Sequence, residues 1–203
     1  MSTDIYITIK NKAEGIFRDK GSRFLAFAYP VTDQEEIKPI LDLLRKEHHD
    51  ARHHCYAYMI GSERNLFRSS DDGEPSGTGG RPILGQINSF GLTNILIVVV
   101  RYFGGTLLGV SGLINAYRSA AESAIRNSEI IECTLKEYYE IKYPYVSMNA
   151  VMKIIKDEEI SQTSQVFETV CSIIISFRTS SREKIIKRFE RIDGVELNYL
   201  ETK

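Results

Sequence analysis

The segment from Ile95 to Tyr117, ILIVVVRYFGGTLLGVSGLINAY, leaves little freedom in how its residues fold, because strand, turn and helix signals follow one another without a gap. Ile95 to Val100 is a short, β-branched, uninterrupted apolar run, the composition of a strand buried on both faces. Arg101, Tyr102 and Phe103 end it. Gly104, Gly105, Gly109 and Gly112 then supply backbone that can take positive φ or approach another segment closely. Leu113, Tyr117, Ala120 and Ala124 recur at helical spacing and mark a core-facing helix that stops near Asn127. A strand running through glycines into a helix N-terminus is an anion-binding geometry. The phosphate-loop pattern G-x-x-x-x-G-K-[ST] is matched from Gly104 through Ser111 except at the lysine, where Val110 stands. Without that charge, backbone donors alone leave the terminal phosphates unneutralised, which excludes a nucleotide hydrolase. The structural reading of the same residues is a glycine turn for tight strand-to-helix packing, with Ser111 as N-cap.

Composition narrows the partners. Twenty-six basic residues against 27 acidic ones give a net charge of −1, so no global field draws the chain onto nucleic acid or an anionic membrane. The three cysteines, Cys55, Cys133 and Cys171, are odd in number and lack CxxC spacing, which fits a reducing cytoplasm. The N-terminus MSTDIYITIK has neither a basic n-region nor an apolar h-region, and no apolar stretch approaches the roughly 20 residues that span a bilayer. A cytoplasmic protein with no membrane partner is expected.

Along the chain, Arg23 to Tyr29 alternates as a strand ending at Pro30. Thr32 to Glu35 reads as a capping box, followed by Ile37, Ile40, Leu41 and Leu44 at helical spacing, with Pro39 expected to bend that helix or delay its start. His53 to Ile60 and Asn65 to Ser69 read as strands, and Ser70 to Arg81 as a long polar loop of the kind that is usually functional or disordered. From Lys136 the order is βαββαβ: a strand through Tyr139, Ile141 and Tyr143, a helix over Val146–Asp157, strands over Gln162–Val170 and Cys171–Arg178, a helix over Ser181–Arg191 and a strand over Val195–Leu200. That order is a ferredoxin-like plait with helices on one face and an open face on the other.

Four groups of residues invite chemistry. All four histidines fall between His48 and His54, but His53 and His54 are neighbours on a strand and point to opposite faces, which argues against a shared metal ion. No metal or cofactor is implied. Cys55 beside His54 is separated from it by the same alternation, so a buried, inert thiol is expected. The loop SSDDGEPSGTGGRP concentrates Asp71, Asp72 and Glu74. These carboxylates suit magnesium or acid-base work, or Asp71 or Asp72 accepts backbone N–H groups and fixes the turn. The basic helix carrying Arg182, Lys184, Lys187, Arg188 and Arg191 lies in a region where 11 acids balance 11 bases and no aromatic RNP pattern occurs, so it reads as a solvated face.

SDDGEPSGTGGRPIL and VVVRYFGGTLLGVSGLINAY together resemble the IMPACT family, also called YigZ-like proteins, with support from GSRFLAF (Gly21 to Phe27) and ARHHCYAYMIG (Ala51 to Gly61). The resemblance covers nearly all of residues 10 to 127. It implies a two-domain α/β (α+β) protein. Residues 1–133 would form a domain of the type shared by a ribosomal small-subunit protein and some small-molecule kinases, and residues 134–203 a plait similar to those of elongation factor G. Eukaryotic relatives regulate translation under amino-acid stress by competing for the activator of an initiation-factor kinase. The family usually has a lysine where Leu107 stands and an arginine where Asn115 stands. Carried over by position, the signature residues are Arg23, His53, Asp71, Asp72, Glu74, Arg101, Tyr102, Gly104, Gly105 and Gly109, expected to gather at one sheet edge, where either Arg101 pairs with Asp71 or Asp72 and locks the loop down or the cluster is the ligand site. The implied function is a non-catalytic binding or regulatory protein linked to translation, with a protein or ribosome-associated partner. The rivals are an enzyme acting on a small phosphorylated or acidic substrate at the Asp71, Asp72 and Gly104–Gly105 cleft, and RNA binding through the open plait face.

Overall fold

The computed structural model describes residues 4–166 and 170–203. They fall into two compact units, Tyr6–Cys133 and Thr134–Lys203, the latter joined by Asp4 and Ile5. In the first, β1 (Ile5–Ile9), β2 (Ala13–Asp19) and β3 (Ser22–Pro30) precede α1 (Ile37–Glu47). There follow β4 (His53–Ile60), β5 (Leu66–Ser70), α2 (Gly80–Ser89), β6 (Ile95–Tyr102), α3 (Gly109–Arg126) and β7 (Ile130–Thr134). One sheet has the order β2-β3-β6-β4-β5 with every neighbouring pair antiparallel, while β1 pairs with β7.

The uninterrupted apolar run of β6 follows from a three-layer arrangement. Leu96, Val98 and Val100 pack with Ile37, Leu41 and Leu44 of α1, whereas Ile95, Ile97 and Val99 pack with Ile83 and Ile87 of α2 and Leu113, Tyr117 and Ala120 of α3. With both faces covered, alternation disappears from the sequence even though the sheet is antiparallel.

Several local expectations shift. The capping box is displaced by one residue: Asp33, not Thr32, accepts from Glu35 N–H at 2.9 Å, and Glu36 accepts from Asp33 N–H at 2.8 Å. A 3-10 turn over Gln34–Glu36 precedes α1, which places Pro39 in the first helical turn, where its missing N–H has no intrahelical partner to lose. The loop expected over Ser70–Arg81 ends early, because α2 begins at Gly80. Its opening Gly-Arg-Pro masked a helix that Pro tolerates only near its N-terminus. Ser111 is not an N-cap; α3 starts at Gly109 with Leu108 in the cap position, so Ser111 and Gly112 lie inside the helix.

The second unit comprises β8 (Lys136–Pro144), α4 (Met148–Asp157), β9 (Ser161–Val166), β10 (Val170–Arg178), α5 (Arg182–Phe189) and β11 (Glu196–Thr202). Its sheet order, β11-β8-β10-β9 with antiparallel pairs, is that of a ferredoxin-like plait. Of the strand expected over Gln162–Val170, residues 167–169 lie outside the described residues. Tyr139, Ile141, Tyr143, Cys171, Ile173 and Ile175 face Val151, Ile155, Ile185 and Phe189 of the helices. On α5, Lys184 pairs with Glu158, and Arg188 pairs with both Glu158 and Asp157, so part of its positive charge is met within the plait. No helix among the described residues is long and apolar enough to cross a membrane.

Gly15 on β2 sits flush against α3: a Cβ there would lie 2.2 Å from the Ala124 nitrogen. Gly15→Ala must push helix from sheet and is expected to cost at least about 2 kcal/mol. Gly85, inside α2 with open space around it, gives the opposite sign, a gain of about 0.5–1 kcal/mol for Gly85→Ala. Urea denaturation of the two variants beside the parent checks both.

Candidate functional site

Strand register assembles the first part of the site. His53 lies opposite Arg101 across β4 and β6, and Arg23 opposite Tyr102 across β3 and β6. These four residues therefore stand side by side at one end of the three central strands, not at a sheet edge as expected. The Arg23 guanidinium lies 4.9 Å from the Tyr102 ring centroid, and the Tyr102 hydroxyl contacts His48 Nδ1 at 2.9 Å.

The loop after β5 returns to the same end and is fixed by its own acids. Asp71 accepts backbone N–H groups from Gly77, Gly79 and Gly80 at 2.8 to 2.9 Å, so one carboxylate closes the loop and caps the start of α2. Burial pulls the Asp71 pKa upward, but the three N–H donors outweigh it and hold the carboxyl below its usual range. Asp72 has left-handed backbone, φ 42°, and accepts the His54 N–H at 2.7 Å. Its carbonyl bonds His53 Nδ1 at 2.8 Å. A carbonyl only accepts, so His53 carries its proton on Nδ1 and its neutral form leaves Nε2 as an acceptor. Asp72 also approaches His54 Nδ1 at 3.9 Å, but burial lowers the His54 pKa against the pull of that carboxylate, so the contact is not an ion pair at neutral pH.

The expected pairing of Arg101 with Asp71 or Asp72 is wrong. Arg101 Nη1 donates to Glu74 Oε1 at 2.6 Å, with the two side chains only 8% and 3% exposed. The same Oε1 accepts the Tyr117 hydroxyl at 2.8 Å. Three acids within four residues were open to the arginine, and the other two accept backbone N–H groups instead. Tyr117 was read only as core; the available signal was a phenol in a stripe of Leu and Ala, which needs a polar partner once buried. Burial also raises the pKa of Tyr117 and of the Cys55 thiol, whose Sγ donates to the Asp71 carbonyl at 2.9 Å. That agrees with an inert cysteine.

Gly104 is required by close approach, since a Cβ there would lie 1.9 Å from the carbonyl carbon of Gly21. Its N–H donates to the buried Ser22 hydroxyl at 3.1 Å, which ties the strand end to the β2–β3 hairpin. Gly105 and Gly109 follow with φ of 87° and 72°. Beside them, Arg52, His53, Arg101, Phe103 and Leu107 line a cavity of about 300 Å³. Arg52, Phe103 and Leu107 were not singled out as site residues, because no pattern distinguishes them from solvated surface. Among the described residues no group of three or more His, Cys, Asp or Glu side chains is placed to hold a metal ion.

A family model described as the Impact N-terminal domain matches residues 20–125, which include every residue of this cluster. An IMPACT family member of Haemophilus influenzae is 33% identical over 175 residues, covering 84% of this chain and 82% of that protein. The IMPACT family member YigZ of Escherichia coli is 40% identical over 131 residues, 60% of this chain and 64% of that relative, a little under two thirds of its length. A crystal structure of an hypothetical protein superposes with a TM-score of 0.72 at 27% identity, covering 98% of both chains. The solved two-domain translational regulator Yih1 is 27% identical over 60% of this chain and 47% of that one, with a TM-score of 0.35 that carries no structural argument.

Two outcomes are expected. Glu74→Gln leaves the Arg101 charge buried without a counter-charge and should lower unfolding stability by about 3 kcal/mol, most of it recovered when Arg101→Met is added, as measured by urea denaturation. Because the Asp71 pKa is depressed in the fold, its contribution is present above about pH 4 and lost as pH falls through the lowered value; Asp71→Asn should flatten that part of the stability profile.

Proposed function

This chain belongs to the IMPACT family, and from that premise we propose that it is a cytoplasmic, non-catalytic binding and regulatory protein linked to translation or ribosome function. Its domains are taken as residues 1–133 and 134–203. The translational link rests on family membership. The non-catalytic character rests on one structural observation: every carboxylate of the acidic loop already has internal donors. Asp71 holds three backbone N–H groups, Glu74 holds Arg101 and Tyr117, and Asp72 holds the His54 N–H and lies 3.4 Å from Arg45. A general base or a magnesium ligand needs a lone pair facing substrate, and removing these from their donors would open the loop. The residues left to face a partner are Arg23, His53, Tyr102, Gly104 and Gly105, of which His53 is held by the Asp72 carbonyl, Tyr102 by His48 and Asp50, and Gly104 by the Ser22 hydroxyl.

One observation favours the enzyme reading in another form. His53, oriented through Nδ1 by the Asp72 carbonyl, lines the same cavity as its cross-strand neighbour Arg101, an arrangement suited to proton transfer on a small acidic substrate.

The binding reading predicts that the full chain co-sediments with ribosomal particles or a particle-bound factor at low salt, and that pelleting falls as salt rises. Particles that pellet free of the chain at low salt, in the presence of a complete cytoplasmic extract, would overturn it.

A further inference from the structure

Between α2 and α3 the surface opens into a groove of about 580 Å³, walled by Arg81, Pro82 and Gly85 of α2, Ile114 and Arg118 of α3, and Gly77 of the acidic loop. It shares no residue with the Glu74–Arg101 cluster. Arg81 and Gly85 are one turn apart, as are Ile114 and Arg118, so each helix lends the groove one i, i+4 row. The loop wall is fixed from behind, because the Gly77 N–H is held by the Asp71 carboxylate at 2.8 Å. Two features of this groove serve nothing inside the fold. The first is Gly85. A glycine inside a helix lowers stability relative to alanine, yet a Cβ here would meet nothing within 4 Å, and Gly85 is not among the glycines with positive φ. A stability loss that neither packing nor backbone angle explains, at a position facing open space, is the pattern left where another molecule comes close. The second is charge. Arg81 and Arg118 are exposed and make no ion pair or hydrogen bond with another described residue. Glu122, one turn beyond Arg118, pairs instead with Arg126 at 2.7 Å. None of the lining residues is acidic, in a chain whose net charge is −1.

We propose that the groove takes a short acidic peptide segment of a protein partner. The backbone of that segment runs over Gly85, an apolar side chain rests on Ile114, and carboxylates meet Arg81 and Arg118 at separate points. Each guanidinium acts singly, one on the α2 wall and one on the α3 wall, so no common contact atom is needed. An RNA strand suits the groove less well: no aromatic side chain lines it to stack a base, and two cations neutralise little of a phosphate backbone. Exposed ion pairs contribute little each, so fit over Gly85 decides the affinity, which is expected to be about millimolar for a short peptide. A partner of this chemistry does not have to be ribosome-associated, and the groove is separate from the His53 and Tyr102 surface, so failure here would leave the translational reading intact.

The test is titration of the full chain with the capped peptide Glu-Leu-Glu-Glu-Leu-Glu, its neutral counterpart Gln-Leu-Gln-Gln-Leu-Gln, and a uridine octanucleotide. Binding is followed in ¹H–¹⁵N spectra through the amides of Gly77 and Gly85 and the side-chain Nε–H groups of Arg81 and Arg118. Saturable shifts with the acidic peptide, absent with the neutral one, are expected. Arg118→Gln should weaken binding about threefold or more. Gly85→Leu, which fills the groove, should weaken it about tenfold or more while the thermal midpoint stays level or rises, a combination that loss of folding does not produce. No saturable shift with the acidic peptide, an equal shift with the neutral one, tighter saturation of the same resonances by the oligonucleotide, or unchanged affinity in either variant overturns the proposal. So does a lowered midpoint in Gly85→Leu, which would show that Gly85 serves packing.

Discussion

The buried contact of Glu74 with Arg101 and Tyr117 organises the first unit. Arg101 is the penultimate residue of the central strand β6, Tyr117 lies inside α3, and Glu74 comes from the loop between β5 and α2. A single carboxylate oxygen thus joins three elements that the chain reaches at widely separated points. With both charged side chains almost fully covered, neither can leave without stranding the other in a low-dielectric interior. The loop is therefore a fixed part of the core, and the two long motif blocks are two halves of one buried network.

Around that contact the geometry is over-determined. Asp71 closes the loop on its own backbone and caps α2, Gly104 lets the end of β6 lie against the β2–β3 hairpin, and Cys55 beneath the loop donates to the Asp71 carbonyl. Each device removes a degree of freedom from the same end of the sheet. What stands above them, His53, Arg52, Phe103 and the Gly105 turn, is presented on a rigid base, the condition under which a small cavity discriminates by shape.

The parts of this architecture legible in the sequence are those set by periodicity. β4 and β6 follow from their apolar runs, α3 from Leu113, Tyr117 and Ala120, and the plait from the alternation through Tyr139, Ile141 and Tyr143. Two of the misreadings share one cause: each depended on which of several competing polar groups reached a given donor. Thr32 and Asp33 are both capping residues, and only backbone geometry selects Asp33. Asp71, Asp72 and Glu74 are all plausible partners for Arg101, and the path of the loop, in which Asp71 closes on its own backbone, leaves Glu74, the nearest to Arg101 in sequence, to reach it. α2 was missed because its apolar residues Ile83, Leu84 and Ile87 follow directly on Gly79, Gly80 and Pro82, which read locally as turn. The cavity was invisible because Arg52 and Leu107 come to line it only through the neighbours that the fold brings to them.

Charge neutralisation within the fold has a consequence for recognition. Arg101 is balanced by Glu74, and Lys184 and Arg188 of α5 by Glu158 and Asp157, while the whole chain carries a net charge of −1. Long-range attraction of a polyanion needs a field that extends about a Debye length into solvent, and paired charges produce almost none at that distance. A guanidinium such as that of Arg52, which is exposed and makes no ion pair with another described residue, acts differently: it contributes once a charged group is within contact distance, where direction and fit decide the outcome. Recognition at a surface built this way is decided at contact distance, by complementarity to a rigid base.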